Sequence, residues 1–335
     1  MFPRTSLLET LSRSITAFQS SAEPFRVVAT VPHTQICPLS PSSPPRRLLV
    51  LDSSFNPPTV AHMRMARSAI LSESGRGARK GTNGGSEGGG NKPTTRLLLL
   101  LAVNNADKTP QPAEFGHRLC MMYIFAAELL AGLDTQQPPS WQTTEGSAKS
   151  AGEGLYIDLG LTTLPYFHSK SAAISSSPFY LPSTSSSSSS LQEAAEMEQV
   201  YLAGYDTVIR IFNPKYYTLP PPDSTDNIRS PMTGALGPFF RRSRLRITMR
   251  TDSSWGGEEE QRGYLKGLQE GGLEAVGGNN EWVDRIELVE GRREGEVVVS
   301  STAVREAVRG RDEERLGGLV CEGVKRWILE EALYR

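Results

Sequence analysis

The chain has 335 residues, with 36 Lys and Arg against 37 Asp and Glu and a formal net charge of −1, so no general basic field is present for nucleic acid or an anionic membrane. Its cysteines, Cys37, Cys120 and Cys321, are odd in number and far apart; this argues against a disulfide framework or a zinc site of paired cysteines and fits a reducing compartment, cytoplasmic or nuclear. With 31 Gly and 23 Pro, one core domain interrupted by insertions is expected rather than two domains.

At the N-terminus, Leu7, Leu8, Leu11, Ile15 and Phe18 make an amphipathic stripe, read as a helix docked on the core. Arg4 and Arg13 beside it also suit a mitochondrial transit peptide, against which Glu9 and Glu23 count. Phe25–Val31 is a short β-branched strand, and 38–45 is a Pro-rich linker. No apolar run approaches the roughly 20 residues of a membrane-spanning helix. None of the four histidines, His33, His62, His117 and His168, pairs with another at a metal-ligand spacing, and no structural metal is expected.

The chain is organised around 48–71, LLVLDSSFNPPTVAHMRMARSAIL. A strand over 46–51 enters a turn at Asn56-Pro57-Pro58, and a helix begins near Thr59 with Ala61, Met65 and Ala69 on one face. His62 lies in its first turn, where unpaired backbone N–H groups and the helix dipole favour an anion. Alone, such a histidine is better explained as a surface or satisfied core residue.

Gly and Ser density over 72–92 predicts a disordered insertion. The leucine run of 96–103 fits a strand buried on both faces of a parallel sheet. Lys108 follows its C-terminal end, where open α/β sheets bind ligands, and is read either as a phosphate contact or as a solvated loop lysine. A helix over 117–131, opened by His117 and Arg118, leads to a linker. Leu155–Leu159 is a strand ending near Tyr166 and Phe167. Ser171–Ser190 reads as a mobile serine run and 191–199 as helical. Val200–Ala203 is a strand running into Gly204-Tyr205-Asp206, where Gly admits close approach and a carboxylate can take ribose hydroxyls. A helix follows over 207–212, then Tyr216 and Tyr217. Residues 219–237 read as a Pro-rich loop. Arg241, Arg242, Arg244, Arg246 and Arg250 surround a strand at 245–249 and stay unassigned between a solvated face and a phosphate site. Short strands are expected at 285–290 and 296–299. Ser300-Ser301-Thr302 then caps a helix whose first turn holds Arg305, a cation opposing the dipole unless an anion is bound.

Ser53 to His62, with Ser300-Ser301-Thr302-x-x-Arg305, resembles the paired signatures of nucleotidyltransferases related to class I aminoacyl-tRNA synthetases, closest to the nicotinamide mononucleotide adenylyltransferases and their fungal branch. Gly204-x-Asp206 resembles a third family motif, and the ending of the chain is similar to that of the family. Ser53 stands where most members have Gly, and Tyr205 replaces a small residue. The resemblance implies a Rossmann-like parallel α/β sheet with helices on both faces. Residues 1–45 would be an N-terminal helix and linker, and 46–335 the nucleotidyltransferase domain with insertions near 72–93, 134–153, 171–190 and 218–238.

It also implies transfer of AMP from ATP to nicotinamide mononucleotide, giving NAD and pyrophosphate. His62 and Arg305 would meet the ATP phosphates and Lys108 the attacking phosphate. Ser54 and Phe55 would line the mononucleotide pocket, with Thr59 in the first motif. Gly204 and Asp206 would hold the ATP ribose, Tyr217 would stack on nicotinamide, and Ser300, Ser301 and Thr302 would close the phosphate end. Mg²⁺ is expected with ATP, held largely by nucleotide and water. The expected partners are these nucleotides, not nucleic acid or membrane, and a homo-oligomer is left open. Two other readings stay open: a nucleotide-binding adaptor or quality-control module on the same fold, motivated by Ser53 and Tyr205, and an adenylyltransferase with another phosphorylated acceptor.

Overall fold

The computed structural model describes residues 3–79, 95–103, 113–134, 154–181, 197–217, 230–250, 256–291 and 298–335. Helix α1 (Arg4–Gln19) precedes strands β1 (Phe25–Val31) and β2 (Arg47–Asp52), then α2 (Val60–Arg79), β3 (Thr95–Ala102), α3 (Phe115–Asp134) and β4 (Leu155–Thr162). Helix α4 (Phe167–Ser175), β5 (Glu198–Gly204), α5 (Tyr205–Ile211), α6 (Pro231–Arg242) and β6 (Ser243–Thr248) follow. Helix α7 (Glu258–Gly267) runs through a wider turn into α8 (Leu273–Ala275), and the chain continues as β7 (Ile286–Val289), α9 (Ser301–Arg309), α10 (Glu313–Leu319) and α11 (Glu322–Glu330).

The strands form one seven-stranded sheet in the order β1-β4-β3-β2-β5-β6-β7. Every pairing is parallel except that of β1 with β4. The chain therefore builds outward from β2 through β3 to β4, returns to the other side of β2 at β5, and continues to β6 and β7. The order reverses between β2 and β5, and crevices at such a reversal bind ligands at the carboxyl ends of the strands.

Side chains alternate across the sheet into two cores. Leu49, Leu51, Leu97, Leu99, Leu101, Val200 and Leu202 face one core with α1, α3 and α9 to α11. Leu48, Val50, Leu98, Leu100, Tyr201, Ala203, Leu245 and Ile247 face the other with α5 and α6. The leucine run of β3 is thus buried on both faces, as its composition predicts. The stripe Leu7, Leu11, Ile15 and Phe18 docks α1 on the first core, and β1 beside it is an edge strand of the sheet.

Several expectations are corrected. The serine-rich reading of 171–190 begins too early: α4 runs to Ser175, with Ser171 fully buried and its hydroxyl 2.9 Å from that of Ser243. The Pro-rich loop expected up to 237 is helical from Pro231. Ser230 accepts from the Thr233 N–H as an N-cap, Pro231 occupies the first turn, and Met232, Leu236, Phe239 and Phe240 supply a buried stripe that outweighs the interior Pro238. Helix α2 likewise continues to Arg79, past Ser72. Of the helix expected at 191–199, residues 191–196 lie outside the described residues and Glu198 and Gln199 open β5; Val298 and Val299 are irregular rather than a strand.

Candidate functional site

A cavity of about 590 Å³ lies at the carboxyl ends of β2, β5 and β6, at the point where the strand order reverses. Its walls include Asp52, Ser53, Thr59, His62, Gly204, Asp206, Arg246, Arg250, Ser300 and Ser301. Residues from four separate stretches of sequence therefore share one space.

The loop after β2 contains Phe55 in the left-handed region (φ 43°) and a cis Asn56–Pro57 bond. A bulky residue with positive φ costs energy and persists only where its surroundings hold it. Here Phe55 is fully buried in the first core with its ring 5.4 Å from the His62 ring. It was expected to line a mononucleotide pocket; it packs behind His62 instead. Ser54 is exposed and is not among the cavity walls.

His62 is held at both ring nitrogens. The Thr59 backbone N–H donates to Nδ1 at 3.0 Å, and the Thr59 hydroxyl is 2.9 Å from the same atom. Nε2 is 3.0 Å from the Ser53 hydroxyl. Burial pushes the imidazole down to a pKa of about 4, so the ring is neutral at physiological pH. A backbone N–H can only donate, so Nδ1 accepts and the ring proton sits on Nε2.

The second signature closes the same loop. Ser300, not Thr302, caps α9 by accepting from the Ala303 N–H. The Ser301 hydroxyl donates to the Pro57 carbonyl at 2.9 Å, and Arg305 Nη1 donates to the Asn56 carbonyl at 3.0 Å. Arg305 Nη2 donates to the exposed Thr302 hydroxyl. The structure thus ties the His62 and Arg305 motifs together through 56–57, although the guanidinium lies on the loop and not among the cavity walls. Tyr334 reaches the same loop from the chain's end, its hydroxyl donating to Asn56 Oδ1 at 2.8 Å.

On the β5 side, a Cβ added to Gly204 would come within 2.8 Å of Asp206 Oδ1. The glycine therefore makes room for its own motif's carboxylate. Arg250 Nη1 donates to Asp206 Oδ1 at 3.4 Å, and Arg246 bonds Ser68 and Glu287. These two arginines, left unassigned in the basic cluster, are cavity walls. Alternation along β6 is the signal for Arg246: Leu245 and Ile247 face the second core, so Arg246 faces the opposite side, above α2.

Tyr217 is not among the cavity walls. It packs against the second core with its hydroxyl on the Ile211 carbonyl and its ring 6.1 Å from that of His168, which stacks on Tyr166. Lys108 lies outside the described residues.

One polar pair at the cavity has no counterpart in the sequence reading. Asp52, the last residue of β2 and a cavity wall, accepts from Lys170 of α4 at 2.5 Å, with side chains only 8% and 6% exposed. Lys170→Met is expected to lower stability by about 1–3 kcal/mol by leaving a nearly buried carboxylate unpaired. Asp52→Asn in that background should recover most of the loss. Urea midpoints of the two variants check this, and an unchanged midpoint in Lys170→Met would sink the pairing.

No protein-family model matches the chain. It is 28% identical over 267 residues to a Schizosaccharomyces pombe protein described as "Putative nicotinamide mononucleotide adenylyltransferase", a match spanning 80% of this chain and 78% of that one. The chain is a homologue of that protein. Both signatures and the Gly204-x-Asp206 turn meet at the cavity region described above. Among solved structures it is similar to Plasmodium falciparum nicotinic acid mononucleotide adenylyltransferase complexed with NaAD, at 13% identity and a TM-score of 0.40, covering 86% of this chain and 97% of that one. The same enzyme complexed with APC gives 12% identity and a TM-score of 0.41 over 86% and 96%.

Proposed function

We propose that this protein transfers AMP from ATP to nicotinamide mononucleotide, forming NAD and pyrophosphate. The observation that carries this reading is the joining of two distant motifs on one loop: His62 is fixed on one side of it, and Ser301 and Arg305 bond the Asn56 and Pro57 carbonyls on the other. The fission-yeast homologue's description supports the choice of acceptor.

In this mechanism a phosphate oxygen of the mononucleotide attacks the α-phosphorus of ATP. A new P–O bond forms, the bond between the α-phosphorus and the bridging oxygen breaks, and pyrophosphate leaves with that oxygen. A phosphate monoester has a second pKa of about 6 and is largely dianionic at neutral pH, so no side-chain base is needed. Catalysis is then positioning and charge stabilisation. The neutral His62 supplies a hydrogen-bond donor of fixed direction. Arg305 has five N–H donors, enough to hold the loop and also meet phosphate oxygens. Gly204 and Asp206 take the ribose, and Lys108 orients the attacking phosphate.

An Mg²⁺ ion bound with ATP would supply neutralisation of phosphate charge. Among the described residues no group of three or more His, Cys, Asp or Glu could hold a metal ion, and the two aspartates of the cavity wall are engaged by Lys170 and Arg250. That donor set fits an ion carried by nucleotide and water.

The test is the purified chain with MgATP and, separately, nicotinamide mononucleotide, nicotinic acid mononucleotide and phosphopantetheine, with pyrophosphate and adenylylated product measured. NAD is the expected main product. Preference for another acceptor would overturn the substrate, and ATP binding with no product from any acceptor would overturn the activity in favour of a binding module.

A further inference from the structure

Ser53 occupies a position that the mechanism above leaves without a role. Its backbone N–H donates to the Leu100 carbonyl at 3.2 Å, extending the pairing of β2 with β3 by one residue and fixing where the side chain starts. Its hydroxyl lies 3.0 Å from His62 Nε2. Ser53, Thr59 and His62 all line the cavity.

The direction of the bonds follows from one atom that has no choice. The Thr59 backbone N–H donates to Nδ1, so a neutral ring carries its proton on Nε2, and Nε2–H donates to the Ser53 oxygen. A serine hydroxyl has one proton to give. Accepting from the imidazole leaves that proton unspent and polarises the hydroxyl. Glycine at this position would leave Nε2–H itself facing the cavity.

We propose that Ser53 is a nucleotide-binding residue that stands in series with His62, its hydroxyl giving the hydrogen bond to a bound polyphosphate while the imidazole donates to its oxygen. This rests on the reading of the cavity as a nucleotide site. The ligand class is a polyphosphate anion, whose oxygens only accept. Thr59 and His62 are then the positioning residues behind the contact.

The series arrangement predicts an unusual order of variants. Ser53→Ala removes the donor and leaves a methyl group in front of Nε2–H, and it should weaken binding of MgATP and of inorganic tripolyphosphate by about tenfold or more, as for loss of a hydrogen bond to a charged group. Ser53→Gly opens the way to Nε2–H and should bind within about threefold of the parent, a small cost because the imidazole replaces the lost donor. A merely structural role for Ser53 gives no such recovery in glycine.

Titration calorimetry of both probes on the intact chain, with thermal midpoints to confirm folding, reads this order. Nitrogen-15 NMR of the His62 ring should show the Nε2–H tautomer in the parent and both variants. Equal binding by Ser53→Ala and the parent would overturn the proposal, as would equal weakening in the alanine and glycine variants or an Nδ1–H tautomer. A parent that makes NAD while Ser53→Ala binds normally removes the Ser53 role alone. Ser53-dependent binding of ATP without any transfer removes the transferase reading alone and supports the role of Ser53.

Discussion

His62→Ala is expected to cut turnover by about 10²–10³-fold, the usual effect of losing one preorganised donor, because it removes the imidazole that aims and polarises the Ser53 hydroxyl. Folding at neutral pH should change little, because Phe55 behind the ring stays buried by the rest of its core. The same variant has a signature in acid. Above pH 6.5 the imidazole is neutral in both the folded and the unfolded chain. Between about 6.5 and about 4 the unfolded chain takes up a proton that the folded site refuses, so stability falls as pH falls and levels off below about 4. A shift of that size is worth on the order of 3 kcal/mol. Urea unfolding at pH 7 and pH 4.5 should therefore show a loss in the parent that is smaller in His62→Ala. Parallel curves would mean that the ring is not held neutral. Over pH 6.5–8 the ring does not titrate, so this residue should add no step to the rate profile.

The largest expected effect on stability lies away from the cavity. Arg96 and Asp158 are 2% and 0% exposed, and Arg96 Nη1 donates to both carboxylate oxygens, at 2.7 and 3.0 Å. Asp158 also accepts from Thr30 of β1 and from Tyr180, and Arg96 donates to the Leu39 carbonyl. One network thus ties β1, the connection before β2, β3, β4 and the segment after α4. Arg96→Met should cost about 3–5 kcal/mol by stranding a buried carboxylate. Lys should substitute poorly, since the guanidinium serves Asp158 with one nitrogen and the Leu39 carbonyl with the other. Asp158→Asn in the Arg96→Met background should regain part of the loss, because a neutral amide costs less to bury than an unpaired carboxylate and its oxygen still accepts from one of the two hydroxyls of Thr30 and Tyr180. Denaturant midpoints decide it, and a cost under about 1 kcal/mol would show the pair to be dispensable.

Local pattern was enough where neighbours in sequence are neighbours in space. The leucines of β3 announce a strand buried on both sides, and the Asn56-Pro57-Pro58 turn announces the start of α2. Composition misled where a few well-placed residues outweigh it. Four buried apolar side chains and a serine cap make α6 a helix despite its Gly and Pro content, and Ser171 is as buried as any leucine because Ser243 satisfies it. Contacts between distant residues were illegible. Nothing near Asp52 announces Lys170, and nothing near Asn56 announces Tyr334. Ser53 was visible only as a departure from a motif; its meaning required the position of the His62 ring.

The edge pairing of β1 has a further consequence for how the chain is made. Thr30 and its partner Asp158 are 128 positions apart, and at about 5–20 residues per second a ribosome needs roughly 6 to 26 seconds to cover that interval. For that time β1 is made but its one strand partner is not. Nascent-chain capture should find this opening segment held by chaperones until β4 has emerged.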